Sequence, residues 1–205
     1  SLLKREWQQR IDALFRFYSS HKNAAISDWL SWVLLAADAF IVNGAADSAS
    51  VIAGYFWFET WGRDTFISLP GLMLATGRFE DARKILADFT RHCKRGLMPN
   101  CVEDQHGEQS YNTVDATLWY VNAVLQYLKY TGDFPFVQKQ LWATLKTIVD
   151  NHEEGAAFGI RLDRDGLLAH GPRLTWMDAE VAGVAVTPRA GKAVEIQALW
   201  YNTLR

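Results

Sequence analysis

The feature that most constrains this fold is a repeat. The stretches "LATGRFEDARKIL" (74–86) and "KYTGDFPFVQKQL" (129–141) share the frame Thr-Gly-x-Phe, 55 residues apart, each set between two helix-like runs. Glycine suits the left-handed position just past a helix end, because it has no Cβ to clash there. In the second copy Asp133 is a good N-cap, with Pro135 in the first turn of the next helix. A further echo pairs "LWYVNAVL" at Leu118 with "LWYNTL" at Leu199.

The helices joined by these frames are of two sorts. From Phe79, apolar residues recur at Ala82, Leu86, Phe89 and Cys93, and again at Val137, Leu141, Leu145 and Ile148, which marks one-sided helices. By contrast "ATLWYVNAVLQYLKY" and "WLSWVLLAADAFIV" are apolar nearly all round, as expected of helices enclosed on several sides. Helical hairpins with one buried and one amphipathic member stack into a solenoid or close into an α/α toroid. The expected class is therefore all-α. Strand signal is weak, apart from "FGIRLDRDGLLAH" (158–170), which predicts a small inserted β-hairpin. The stretch 172–192 is loop-like, and a last helix starts near Val194 and meets Arg205 uncapped. Residues 1–24 are expected to be a leading helix or linker. Residues 25–205 are expected to be the first part of a larger domain, with barrel edges open to self-association.

Composition limits the partners. Apolar residues make up 49% and charged residues 21%, with a formal net charge of −2, so neither nucleic acid nor an anionic membrane is an expected partner. No run approaches the roughly 18 apolar residues of a membrane span. "SLLKREWQQR" is too charged for a secretory signal, which makes a cytoplasmic location the default. Cys93 and Cys101 have no metal-ligand spacing and are expected to be thiols. His92 and His106 lie near no carboxylate cluster, so no metal is expected. Nine tryptophans are the outlier, and such faces suit the flat apolar sides of sugars. Trp29, Trp32 and Trp142, set deeper in helices, are expected in the core.

The polar residues collect before the enclosed helices, taken as 65–76, 113–130 and 194 onward. Before the first come Trp61, Arg63 and Asp64. Before the second come Tyr111 and Asn112, with Asp115 just inside. Before the third come Trp176, Asp178, Glu180, Arg189, Lys192 and Glu195. In a toroid these helices run parallel, so their N-terminal ends share one rim. Aromatic faces with Asp, Glu and Arg in a concave mouth fit a neutral polyhydroxylated ligand. Rings cover the C–H face of a pyranose, and charged groups bond its hydroxyl pairs. Spare carboxylates can then do acid and base work on a glycosidic bond. Each residue also has a plainer reading. Asp64 suits an N-cap, Asp115 the third position of a capping box, and Glu195 a first-turn acid. Lys192 and Arg189 suit solvated charges, while Glu59 suits a partner of Arg63.

Four motifs in order, "FETWGRDTFISLPGLMLATGRFEDAR", "YNTVDATLWY", "LTWMDA" and "VTPRAGKAVEIQALWYN", resemble the glucosidase domain of glycogen debranching enzymes. The likeness runs from about Trp29 onward. It implies an (α/α)6 barrel, about half of it in this chain, that hydrolyses α-1,6-linked glucose at the branch points of glycogen or a limit dextrin with inversion. By the resemblance Arg63 and Asp64 grip the terminal glucose, as the Arg-Asp pair of the fold-related glucoamylase does. Asp178 is the general acid, and the general base lies beyond Arg205. Such an acid needs surroundings that favour a neutral carboxyl, and Trp176 and Met177 are the apolar neighbours at hand. No cofactor is needed. Two other classes stay open. A sugar epimerase or a glycoside phosphorylase on the same toroid would want histidines or a basic phosphate pocket, and a glucan-binding module would do no chemistry.

Overall fold

Both Thr-Gly-x-Phe frames make the same helix junction. Gly77 and Gly132 take left-handed φ values of 78° and 66°. Thr76 and Thr131 each donate their hydroxyl four residues back, to Leu72 O at 2.7 Å and Tyr127 O at 2.8 Å. Asp133 caps the following helix as expected, accepting from Phe136 N at 3.2 Å. Around these junctions the computed structural model describes residues 2–22, 28–43, 49–55, 58–102 and 109–205.

The helices are α1 (Leu2–Lys22), α2 (Asp28–Ala39), α3 (Gly62–Leu69), α4 (Phe79–Arg91), α5 (Asp115–Thr131), α6 (Phe134–Phe136), α7 (Trp142–Glu154) and α8 (Val194–Leu204). The described residues are thus mostly helical. A π-helical turn, Pro70–Leu74, extends α3, and another, Val137–Leu141, joins α6 to α7. The first begins where Pro70 has no N–H to offer the preceding turn, and Ala75 N then reaches Pro70 O at 2.9 Å.

Helix α5 is enclosed, as its sequence predicts. One side joins a core with Phe66, Leu86, Phe89, Leu141 and Ile148. Phe66 meets Phe89 and Tyr120 edge-on, with ring centroids 4.7 and 5.2 Å apart. The other side of α5, through Val114 and Leu118, joins a second core with Leu174, Ile196 and Trp200. Helices α3 and α5 touch at matching depths from their N-termini, Arg63 to Asp115 and Phe66 to Tyr120, so they run parallel. Helix α8 also packs on α5, where Asn202 Nδ2 donates to Asn122 Oδ1 at 3.3 Å.

Strands are short but more numerous than the sequence suggests. The expected hairpin is present, β6 (Arg161–Leu162) paired antiparallel with β7 (Leu168–Ala169). In addition β1 (Ile41–Asn43) pairs with β2 (Ala49–Val51), and β8 (Glu180–Val181) pairs with β9 (Val184–Ala185). A three-stranded antiparallel sheet runs β3 (Thr60–Trp61), β4 (Cys101–Val102), β5 (Gln109–Ser110). Cys93 and Cys101 are thiols, as expected, with Cys101 buried.

The tryptophan assignment needs correcting. Trp29, Trp32 and Trp142 are 68%, 72% and 61% exposed, so they lie outside the core. Among the described side chains of α2 only Leu34 and Asp38 are buried, with Asp38 gripped by Arg10 at 3.1 Å and Arg78 at 2.7 Å. "WLSWVLLAADAFIV" is therefore a one-sided helix followed by a strand, not an enclosed helix. In α7 Ile148 and His152 face inward, and Trp142 falls off that stripe. His106 lies outside the described residues.

Candidate active site

The site begins at a glycine. A Cβ on Gly62 would sit 2.2 Å from Pro99 O, while Gly62 N donates to Asn100 O at 2.8 Å. Only glycine lets the first turn of α3 press so closely on the strand segment beside it. Trp61, extended in β3, stands at the helix cap, and Arg63, two residues on, is buried.

Arg63 ties three chain segments together. Its Nε donates to Asp115 Oδ2 at 2.8 Å, Nη2 to Thr175 O at 2.9 Å, and Nη1 to Asp178 Oδ2 at 3.4 Å. Asp115 in turn accepts from Thr113 Oγ1 at 2.7 Å. Burial alone would lower the Arg63 pKa. The hydrogen bond and charge of Asp115, then the charges of Asp178 and Asp64, outweigh burial and leave it raised, so the guanidinium is always a cation. Three of its five N–H groups are accounted for, which leaves up to two for a ligand.

An open cleft of about 320 Å³ lies above this cation, lined by Ala53, Phe58, Trp61, Arg63, Asp64 and Asp178. Asp64 is open to solvent on the cleft side. The atoms packed around its carboxyl nevertheless raise its pKa through partial burial, against the pull of Arg63. Asp115 and Asp64 flank one guanidinium, so the mouth carries more negative than positive groups even with Asp178 neutral. Such a mouth accepts hydroxyl hydrogens, favours positive charge developing on a ligand, and repels anions.

The plainer readings of these acids do not match the geometry. Helix α3 starts at Gly62 with Trp61 at its cap, and no side chain makes the cap bond, so Asp64 is a first-turn residue and not an N-cap. Helix α5 starts at Asp115 with Val114 at its cap, so Asp115 is its first residue and not the third position of a capping box, while Thr113 Oγ1 accepts from Ala116 N at 3.2 Å. Asp115 is committed to the ion pair. Glu59 is not among the groups bonded to Arg63.

The other expected residues lie around the cleft or away from it. Trp176 is 56% exposed, and the Arg189 guanidinium stands 5.5 Å over its ring. Arg189 also pairs with Glu195 at the start of α8. Lys192 reaches Asp163 and Asp165 at the turn of the β6–β7 hairpin, both at 2.7 Å, and does not line the cleft. Tyr111 is placed elsewhere too, its Oη 2.7 Å from His92 O and 2.5 Å from Gln109 Oε1, with Lys94 Nζ 4.9 Å over its ring. His92 bonds Gln109 Nε2 through Nδ1 at 2.6 Å.

Sequence reasoning missed Phe58 and Ala53 as lining residues and the Thr175 carbonyl as an anchor. Phe58 belongs to a conspicuous aromatic run. A main-chain carbonyl leaves no mark in a sequence.

Comparison with known proteins agrees with the motifs. The family described as Amylo-alpha-1,6-glucosidase matches residues 35–205. The glycogen debranching enzyme of Saccharomyces cerevisiae is 29% identical over 206 residues, covering 73% of this chain. The match spans 13% of the yeast protein, so this chain corresponds to a small share of that relative's length. With the family matched over most of its length, the chain belongs to the amylo-alpha-1,6-glucosidase family.

Proposed function

We propose that this chain contributes the sugar-gripping and proton-donating part of a debranching α-1,6-glucosidase, within an (α/α)6 barrel, acting on glycogen or a limit dextrin. The observation that carries the reading is the Arg63 hub at the mouth where α3 and α5 begin. It brings Asp115 and Asp178 together, with Asp64 and Trp61 on the same cleft. Arg63 and Asp64 hold the hydroxyls of the terminal glucose, and the faces of Trp61 and Phe58 cover its C–H groups.

In the reaction the Asp178 carboxyl gives its proton to the glycosidic oxygen, O6 of the glucan, as the C1–O6 bond breaks and its electron pair goes to O6. Water adds to C1 from the opposite face and loses a proton to a base supplied from beyond Arg205. The acidic cleft favours the oxocarbenium-like charge at C1. This chemistry uses no cofactor, and a cytoplasmic setting belongs to the same proposal. No described helix is long and apolar enough to cross a membrane.

Two observations favour hydrolysis over the other sugar chemistries. Arg189 and Lys192, the cations a phosphate would need, are engaged by Glu195 and by Asp163 and Asp165. Among the described residues no histidine, which an epimerase would need, lines the cleft: His152 is buried against Trp200, and His170 is buried beside Gly171. The test is to give the full-length protein a branched limit dextrin and follow the product by NMR. Free β-glucose as the first product is expected. α-Glucose first, glucose 1-phosphate in phosphate buffer, or binding without product would each overturn the proposal.

A further inference from the structure

We infer that Arg173 is a positioning residue that aims the carboxyl of Asp178; this rests on reading Asp178 as the proton donor. Arg173 does not line the cleft, yet its side chain grips the segment that carries Asp178. Its Nε donates to Asp178 O at 3.0 Å, and its Nη1 pairs with Glu180 just beyond. Its own N–H reaches Pro188 O at 3.0 Å, on the far side of the β8–β9 excursion.

The short strap 175–178 is thus held at both ends by arginines. Arg63 holds the carbonyl of Thr175 and Arg173 the carbonyl of Asp178. The direct bond from Arg63 to the Asp178 carboxyl is long, 3.4 Å, and constrains the side chain loosely. The main-chain grip is the tighter one. It fixes where the Asp178 Cα–Cβ bond points and leaves the carboxyl only its side-chain torsions. A guanidinium suits this task because its fixed fork serves two acceptors at once, which an ammonium does poorly. Arg173 also sits at a left-handed φ of 62°, a conformation a residue with a side chain rarely keeps without a local reason. Side-chain exposures of 34% for Arg173 and 41% for Glu180 make their ion pair a minor source of stability. Loss of Arg173 should therefore show in catalysis more than in folding.

The test uses the full-length protein with Arg173→Met, Arg173→Lys, Glu180→Gln and Asp178→Asn. Each is assayed on a branched limit dextrin, which needs a proton donor, and on α-glucosyl fluoride, which does not. Arg173→Met should lower kcat on the dextrin by about 10- to 100-fold, the scale of an angstrom-sized misplacement. KM and fluoride hydrolysis should stay within about threefold and Tm should hardly move. Arg173→Lys should recover part of the loss, since an ammonium can still donate to the Asp178 carbonyl. Glu180→Gln should show the same substrate split on a smaller scale. Equal losses on both substrates, or a loss confined to KM, would overturn the inference. If Asp178→Asn splits the substrates and Arg173→Met does not, the inference fails alone. If Asp178→Asn does not split them, the proton-donor reading fails and takes the inference with it. Should Arg173→Met fail to fold, a wild-type substrate ratio in Glu180→Gln and Arg173→Lys overturns it equally.

Discussion

Replacing Asp115 by Asn removes the negative partner of the most enclosed ion pair at the site and leaves its shape nearly unchanged. The Arg63 and Asp115 side chains are 11% and 3% exposed, so solvent screens little of the interaction. The Nε–H···Oδ2 bond is charge-assisted, worth about 1.5–3 kcal/mol, and the Asn amide oxygen that could replace its acceptor carries no net charge. The guanidinium then stays buried with only the more distant Asp178 and Asp64 to balance it. Breaking one side of a buried pair typically costs about 3–5 kcal/mol. For a domain of this size each kcal/mol moves Tm by about 2–4 °C, giving a fall of roughly 6–20 °C. Thermal melts followed by tryptophan fluorescence at low salt measure it. A capping carboxylate would be worth only about 1 kcal/mol. A fall of 4 °C or less would therefore refute the claim that Asp115 anchors Arg63.

Asp64 should behave in the opposite way. Burial raises its carboxyl above the unfolded value, so the native state holds the proton more tightly. Stability then declines as pH rises from the ordinary Asp range through the raised one, and the penalty is fully present at neutral pH. Asp64→Asn should keep or raise Tm at pH 7 and flatten that decline. It should also lower kcat/KM on limit dextrin by roughly 10- to 150-fold, the worth of one charged hydrogen bond. A Tm loss with normal kinetics would contradict both statements. Lys192→Met should leave kcat/KM within about threefold, because Lys192 is committed to Asp163 and Asp165. A loss beyond tenfold would put its ammonium on the substrate.

Much of this arrangement was legible in the sequence because it is local or periodic. The Thr-Gly-x-Phe frames specify backbone conformations that depend on a few neighbours, and they recur in Gly77 and Gly132. The all-round apolarity of α5 says that it must be enclosed, and two cores enclose it. Arg63, Asp64 and Asp115 meet because each sits in the first turn of α3 or α5, and these parallel helices bring their starts together; Asp178 joins them from an irregular loop. Other features were hidden. An apolar helix face does not say which neighbours exist to cover it, so Trp29, Trp32 and Trp142 read as core and are exposed. Strands of two or three residues are too short to show alternation. Lys192 and Tyr111 lie close in sequence to motif residues, yet their partners come from the hairpin turn and the end of α4. Arg173 finds a carbonyl in an irregular loop, where no period marks the contact.

The most direct measurement compares Asp178→Asn with wild type on two substrates in the full-length protein. The leaving group at a branch point is an unactivated alkoxide, so losing its proton donor should cost about 10²–10⁴-fold in kcat. Fluoride leaves without a proton, so α-glucosyl fluoride should be hydrolysed at a rate near wild type. The account predicts that split, with the variant folded and its Tm close to the parent's. Equal losses on both substrates would contradict it, making Asp178 a binding or structural residue and leaving the proton donor to be sought elsewhere, first at Glu195.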